Sequence, residues 1–174
     1  MNITSGYVSM FRIPELKRRL LFTALILAIY RLGSHVPAPG INLEALKEFF
    51  ASQQGTLVGL YDMFAGGNLQ NATIFALGIM PYISASIILQ LLQAVVPYFE
   101  KLAKEGEEGR RKINQLTRYG TVGLAIVNAL GISFALEGMA GIVINPGMAF
   151  KLMIIITLTA GTVFVMWLGE QITE

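Results

Sequence analysis

The chain has 174 residues, of which 54% are hydrophobic and only 14% are charged. Soluble domains carry about 25% charged residues, so this composition predicts an integral membrane protein. Because there is no cysteine, the sequence excludes disulfides, thiolate metal sites and cysteine nucleophiles. The single histidine, His35, cannot form a ligand cluster, and the net charge of +2 comes from bases beside apolar runs rather than from a nucleic-acid-binding face.

The first element is a cytoplasmic lead at 1–19, partly apolar, followed by a predicted membrane span at 20–36. Arg31 lies near the far end of this span. A charged side chain there either reaches the lipid headgroups or joins a packed ion pair, and the sequence leaves both interpretations open. A loop with a short amphipathic segment, Leu43–Phe50, follows.

A short apolar segment at 57–65 comes directly before a long uncharged run at 72–96. About nine residues of helix reach only about 14 Å, whereas the hydrocarbon core is about 30 Å thick. The break at 66–68 reads Gly-Gly-Asn, and we expect the glycines to end the first helix and an asparagine at 68 or 71 to start the next. This pattern predicts a re-entrant half-helix followed by a second span, inside protein or along a water-filled cavity.

The second half of the chain alternates between charged and apolar segments. We expect a cytoplasmic loop at 97–118, a third span at 119–136 with Asn128 near its middle, and a fourth span at 148–168. The dense charge of the loop is typical of either a solvated surface or a docking surface for a soluble partner. Composition alone does not decide between the two.

Orientation follows from the basic residues at the span ends. If the N-terminus is cytoplasmic, three bases lie toward the outside: Arg31, Lys47 and Lys151. Ten then lie inside: Arg12, Lys17, Arg18, Arg19, Lys101, Lys104, Arg110, Arg111, Lys112 and Arg118. Because basic residues are enriched on the cytoplasmic side, this distribution predicts a cytoplasmic N-terminus.

The predicted span centres offer little chemistry. Spans two to four have no ionisable residue at their centres, which argues against an ion-coupled transporter and an intramembrane protease, and Glu107-Glu108 reads as solvated surface. What remains is an uncharged stripe on the second span, beside a turn that Pro81 is expected to loosen. Its helical spacing groups Ile79, Ile83, Ser86 and Gln90. A pore wall is favoured, with a solute transporter or a scaffold without a pore as alternatives.

Four runs of sequence carry a resemblance to a known family. They are ALGIMPYISASIILQLL, KEGEEGRRKINQLTRYGT, INPG and MWLGEQITE, and in this order they resemble the SecY family, the central subunit of the bacterial protein-translocation channel. The resemblance extends from Leu16 to Glu174. It implies an all-α, multi-span helical bundle with a re-entrant plug helix, in which ten spans form two inverted halves. This chain resembles spans one to four, so we expect it to be the N-terminal part of a longer subunit.

The resemblance also implies roles for particular residues. The plug, which blocks the resting channel, is expected at 57–71 and includes Leu60, Tyr61, Asp62 and Phe64. The apolar pore ring includes Ile79 and Ile83, and the lateral gate includes Ser84 and Asn128. Partner docking is assigned to Arg110, Arg111 and Lys112. A hydrogen bond between the two gate residues would contribute only about 0.6 kcal/mol, and at most about 2.

The function implied by the resemblance is passive. The channel passes unfolded secretory polypeptides across the bacterial cytoplasmic membrane, and it releases apolar segments sideways into the lipid. It is not an enzyme and needs no cofactor or metal, because partners supply the energy. The expected partners are the SecE and SecG subunits, the SecA motor ATPase, the ribosome, signal peptides, secretory polypeptides and membrane lipids, with no nucleic acid apart from ribosomal RNA.

Overall fold

The computed structural model describes residues 14–52, 56–64, 66–139 and 141–173. Within these ranges the chain is built of helices and turns, so the prediction of an all-α fold is confirmed. The helices are α1 (Pro14–Gly33), α2 (Leu43–Ser52), α3 (Leu57–Phe64), α4 (Met80–Val95), α5 (Pro97–Lys104), α6 (Glu107–Gly138) and α7 (Met148–Thr173). Extended pairing in the described ranges is confined to two isolated bridges, Pro37 with Thr73 and Ile41 with Val143.

The centre of the fold is the packing of α6 against both α4 and α7. The face that α6 buries consists of small residues at four-residue spacing: Thr117, Thr121, Ala125, Ala129 and Ser133. Small side chains let helix backbones approach closely, which favours helix association inside a membrane. The buried hydroxyl of Thr121 donates to the carbonyl of Thr117 at 2.7 Å, so this polar group is satisfied within its own helix.

Ion pairs join α6 and α7 at both ends of this helical hairpin. At one end Lys151 Nζ lies 2.7 Å from Glu137 Oε2 and 4.3 Å from the ring centre of Phe134. At the other end Arg118 Nε donates to Glu170 Oε1 at 2.7 Å. In the sequence Lys151 is only a base near a span end, because Glu137 becomes its neighbour only when the chain reverses between α6 and α7.

The segment between α3 and α4 is a series of turns, so our expectation of a helix from residue 72 is wrong for residues 72–79. Neither asparagine of this segment starts a helix, because α4 begins only at Met80. The backbone groups of the segment bond to the loop after α1 instead: Ala38 N–H donates to the Ala72 carbonyl at 2.6 Å, and Ile74 N–H donates to the Val36 carbonyl at 3.0 Å. Tertiary pairing therefore overrides the local helical pattern.

Phe75 anchors these turns between α1 and α7. Its side chain is 2% exposed and stacks on Tyr30 of α1 with ring centroids 5.5 Å apart. Two glycines make room for the segment. A Cβ on Gly161 of α7 would lie 1.9 Å from the carbonyl oxygen of Ile74, and a Cβ on Gly33 of α1 would lie 2.2 Å from the Phe75 ring.

Two described helices, α6 and α7, are long and apolar enough to cross a membrane. A third span is possible if α4 and α5 are counted together, although they bend by 99° at Val96. The helix α1 falls outside this criterion because Lys17, Arg18, Arg19 and Arg31 make it too charged. It starts at Pro14 and ends at Gly33, whereas the span was predicted at 20–36, so 14–19 is helical and 34–36 is not; residues 1–13 lie outside the described residues.

The segment predicted as a charged loop at 97–118 is helical. It forms α5 and the first turns of α6, with a break at Glu105 and at Gly106, whose φ is 75°. Glutamate, lysine, arginine and leucine are strong helix formers, and we had interpreted their charge density as a loop. A Cβ on Gly109 would lie 1.7 Å from the Leu102 carbonyl oxygen, so α5 folds closely back onto the start of α6.

Candidate functional site

Ile79 and Ile83 lie one turn apart where α4 begins. Ile79 is the residue before the helix, and the N–H of Ile83 donates to its carbonyl at 3.0 Å. Their side chains are 50% and 40% exposed, respectively. Two large aliphatic side chains on one face with this exposure form an apolar surface that the rest of the described chain does not cover. Their role as pore residues stays a prediction.

The opposite face of α4 explains why this pair is held in place. Pro81, Ala85 and Leu89 are buried, and Ala85 lies against Gly120 of α6. Pro81 sits in the first turn of α4, where a helix N–H has no intrahelical partner in any case. Our expectation that Pro81 loosens a turn inside the span is therefore corrected: this proline helps to start the helix.

The segment predicted as the plug contains α3, which is eight residues long. Leu57, Leu60 and Met63 are 84%, 50% and 74% exposed, respectively, so little of this helix face packs against the described chain. The glycines after it, Gly66 and Gly67, have φ values of 69° and 75°, which is the left-handed conformation expected at a helix end. The side chains of Tyr61, Asp62 and Phe64, also assigned to the plug, lie outside the described residues.

A buried polar contact holds the connection between α3 and the turns. Asn68 is 2% exposed, and its Nδ2 donates to the hydroxyl of Tyr30 at 2.9 Å. Asn71 donates from Nδ2 to the carbonyl of Gly67 at 2.9 Å. The asparagines that we expected to start a helix instead fix the segment at 66–71, which we call the hinge, beside α1. The sequence contained no local signal for this contact, because Tyr30 is 38 residues away.

Ser84 and Asn128 line one groove between α4 and α6, with a volume of about 580 Å³. Leu57 of α3 and Leu69 of the hinge line the same groove, so the structure brings the predicted gate residues beside the predicted plug. Both gate side chains are exposed, and no hydrogen bond joins them within the described part of the chain. The bond considered from the sequence is therefore absent from this arrangement.

Arg110, Arg111 and Lys112 lie in the first turns of α6 and are exposed. Lys112 is 3.9 Å from Glu105 in an exposed pair, and exposed pairs of this kind contribute little. Neither arginine has an ion-pair partner among the described residues. The basic cluster is separated from Asn128 by about 27 Å of helix at 1.5 Å per residue, so it forms a surface distinct from the groove.

The described residues contain few perturbed titratable groups. The hydrogen bond from Lys104, together with its charge, lowers the pKa of the Glu100 carboxyl below its ordinary value. Within residues 14–52, 56–64, 66–139 and 141–173, no group of three His, Asp or Glu side chains could hold a metal ion.

Comparison with known proteins identifies the relatives of this chain. The SecY family model matches residues 73–174. The chain is 55% identical over 163 residues to the protein translocase subunit SecY of Escherichia coli K12. The matched region is 92% of the chain and 37% of the relative. The subunit from Aquifex aeolicus is 49% identical over 172 residues, covering 95% and 40%.

A third relative, the protein translocase subunit SecY of Pseudomonas aeruginosa, is 52% identical over 162 residues, covering 93% of the chain and 36% of the relative. The chain thus spans well under half the length of the curated relatives that it matches. The family model nevertheless covers more than half of the chain, including α4 with its isoleucine pair, the basic start of α6 and all of α7. Together with the apolar helices, this match shows that the chain is a membrane protein and belongs to the SecY family.

Proposed function

We propose that this chain forms part of a protein-conducting channel in the bacterial cytoplasmic membrane. The channel passes unfolded secretory polypeptides across the membrane and releases apolar segments sideways into the lipid. One observation carries the proposal: an exposed isoleucine pair, Ile79 and Ile83, begins α4 shortly after a helix of eight residues. Such a helix reaches about 12 Å at 1.5 Å per residue, too short to cross the bilayer.

The isoleucine pair suits a pore that must accept any sequence and yet hold back ions. Isoleucine offers no hydrogen bonds to a passing chain, so it does not discriminate between side chains. A narrow apolar constriction excludes water and thereby ions. Branched aliphatic side chains also pack around substrates of varied shape. In this proposal Ile79 and Ile83 supply part of the constriction, and segments outside this chain supply the rest.

The plug and the gate then open the channel in two directions. The helix α3 has an exposed face and glycines at its end, so few contacts oppose its displacement along the pore axis. The groove holding Ser84 and Asn128 lies at the face where α4 and α6 would meet the other half of the channel. No hydrogen bond between them needs to break, and an arriving signal peptide offers apolar surface to this groove.

Partners supply the energy and the remaining subunits, and the channel itself catalyses no covalent step. We assign SecE and SecG as channel subunits, and SecA and the ribosome as the partners that dock on the basic cluster at Arg110–Lys112. The unpaired arginines of this cluster are available to carboxylates or phosphates, which guanidinium groups bind in a bidentate manner. The bases near the N-terminal ends of α1 and α6 favour a cytoplasmic N-terminus.

The test is the ion conductance of the full-length channel, assembled with its partner subunits in planar bilayers. Replacing Ile79 and Ile83 together by Gly removes the apolar constriction, so the resting leak of chloride and potassium should rise at least about tenfold if dewetting closes the pore. A conductance equal to that of the unmodified channel would contradict the proposal.

The matched control is Ile88→Gly. Ile88 is 48% exposed on a different face of α4, because nine residues place it half a turn from Ile79. A glycine there has a helix cost comparable to that at Ile83, about 1 kcal/mol, without touching the proposed constriction. Its resting conductance should stay low. A leak from Ile88→Gly equal to that from Ile83→Gly would show that loosening α4, rather than opening an apolar ring, causes the conductance.

A further inference from the structure

A polar pocket of about 520 Å³ lies at the C-terminal end of α1. It is lined by Arg31 and His35 from the end of α1, by Lys47 from α2, and by the glycines and asparagines of the hinge after α3. None of its lining residues carries a carboxylate. The pocket is thus a basic site between three elements that lie far apart in the sequence.

The two cationic side chains of the pocket have no ion-pair partner among the described residues. Neither the Arg31 guanidinium nor the Lys47 ammonium lies in an ion pair in this part of the chain. Of the two roles that the sequence left open for Arg31, the packed ion pair is therefore absent here. His35 Nδ1 lies 2.8 Å from the Arg31 carbonyl oxygen, so Nδ1 carries the proton and donates, which leaves Nε2 for a ligand.

The surroundings of the pocket identify the class of anion. Leu32 and Val36, next to the two α1 members of the pocket, are 73% and 48% exposed. They lie at the end of α1, whose middle at 20–30 is uncharged and whose last turn holds Arg31. A soluble anion would gain nothing from this exposed apolar surface, whereas a phospholipid would place its acyl chains on it and its phosphate among the bases.

We propose that this pocket binds the phosphate of an anionic phospholipid, in the leaflet that the C-terminal end of α1 faces. Arg31 and Lys47 supply the charge that attracts the phosphate. Because Gly66, Gly67 and Asn68 line the same pocket, the headgroup would also contact the hinge that carries α3. The inference rests on the membrane location of α1 and is independent of the pore role of α4.

The experiment uses a photoreactive benzophenone side chain in place of Val36, in the full-length channel with its partner subunits. Vesicles contain about one phosphatidylglycerol for every four phosphatidylcholines, and adducts are identified by mass spectrometry. A base near the membrane surface favours an anionic lipid by about five-fold. The ratio of phosphatidylglycerol to phosphatidylcholine adducts should therefore exceed the bulk ratio by at least about five-fold, and a bulk ratio or an absence of lipid adducts would overturn the proposal.

Paired variants separate charge from folding. Arg31→Gln with Lys47→Gln should return the adduct ratio to its bulk value, whereas Arg31→Lys with Lys47→Arg keeps both charges and should keep the enrichment. The same probe at Leu27, which is 56% exposed in the middle of α1, should report the bulk ratio. Enrichment that survives the glutamine variant, or appears equally at Leu27, would show that the pocket is not responsible.

A last arm distinguishes lipid phosphate from soluble phosphate. Adding about 50 mM inorganic phosphate, balanced against chloride at equal ionic strength because salt screens exposed charges, should leave the enrichment unchanged. A return to the bulk ratio in phosphate alone would assign the pocket to a soluble anion and overturn the lipid assignment.

Discussion

The α6–α7 hairpin and the α3 helix are held in opposite ways. The hairpin buries a stripe of small side chains and has an ion pair at each end. The α3 helix has highly exposed apolar side chains, although the turns that follow it pack closely against α1 and α7 through the buried ring of Phe75.

This difference indicates how one membrane fold combines a stable part, the α6–α7 hairpin that we call the frame, with a part that can move, the α3 helix. Regions with few packed contacts open at a low free energy, whereas densely packed helices open only with the whole structure. If α3 is a displaceable plug, its freedom depends on the frame staying closed beneath it. The following predictions test that division, beginning with the variant expected to have the largest effect.

Gly161→Ala should strongly destabilise the frame. Its Cβ would lie 1.9 Å from the carbonyl oxygen of Ile74 and 2.9 Å from the carbonyl carbon, and backbone atoms cannot move away as a flexible side chain can. Overpacking of a tight contact costs about 1 to 3 kcal/mol, and occasionally more. We expect the free energy of unfolding to fall by about 3 kcal/mol, and thermal unfolding of the assembled channel in detergent would measure this loss.

The matched control is Gly169→Ala on the same helix. Beyond its own helical turns, no atom of the described residues lies within 4 Å of a Cβ at Gly169, so alanine should stabilise α7 slightly through its higher helix propensity. Equal melting temperatures for Gly161→Ala and the unmodified channel would mean that the turns at 72–79 do not pack on α7 as described, and the contrast between the two regions would lose its basis.

The Lys151–Glu137 pair should couple the ends of α6 and α7. Both side chains are 23% exposed, so the pair is intermediate between an exposed and a buried ion pair. An exposed pair contributes up to about 1 kcal/mol, whereas breaking a buried pair costs several kcal/mol. A double-mutant cycle of Lys151→Gln and Glu137→Gln should therefore give a coupling free energy of about 1 to 2 kcal/mol. The readout is denaturant unfolding of the assembled channel.

The same cycle on Arg118 and Glu170 provides the comparison. Arg118 is 50% exposed, so solvent screens this pair more and its coupling should stay below about 1 kcal/mol. A stronger coupling at Arg118 than at Lys151 would reverse the expected order and show that solvent exposure does not control the strength of these two ion pairs.

The helices of the frame were the part most accessible from the sequence, for a physical reason. The helices α6 and α7 contain the stretches predicted as spans at 119–136 and 148–168, because long apolar runs without prolines leave few alternatives to a helix. The crossing of the membrane by these helices stays a prediction. The all-α class followed from the same runs and is confirmed.

The start of α4 was not accessible, because its conformation depends on distant residues. Residues 72–79 have the composition of a span, yet their backbone bonds to the loop at 36–38, and no local pattern encodes that pairing. The prediction of a loop at 97–118 was wrong for another reason. Its residues are good helix formers, but we interpreted them by their charge. At the site, helical spacing correctly grouped Ile79 with Ile83 on one face, whereas the Asn68–Tyr30 contact and the basic pocket require the fold.

Tyr30→Phe should loosen the hinge without disturbing the frame. The change removes the hydroxyl that accepts a hydrogen bond from Asn68 at 2.9 Å and keeps the ring that stacks on Phe75. One such bond contributes about 1 kcal/mol, so hydrogen exchange of the amides at 66–73 should quicken by about five-fold. Exchange in α7 should not change.

The control is Tyr82→Phe on α4, whose hydroxyl makes no hydrogen bond to the described residues. It should leave exchange at 66–73 unaltered. If Tyr30→Phe accelerated exchange in α7 as much as in the hinge, the two regions would open together and could not act as a frame and a moving part.

The smallest expected effect concerns the exposed pair in α5. Lys104 Nζ donates to Glu100 Oε1 at 2.5 Å, and this bond lowers the pKa of Glu100 below 4.5. A carboxyl whose pKa is lower in the folded state stabilises that state at a pH above its unfolded pKa. The contribution disappears as the pH falls through the lower folded value.

Amide exchange in α5, corrected for intrinsic rates, should therefore quicken slightly as the pH falls below 4.5, while exchange in α6 stays constant. Lys104→Gln should remove this dependence, because the amide side chain carries no charge to favour the ionised carboxyl. A pH response of equal size in the Lys104→Gln variant would assign the effect to another group.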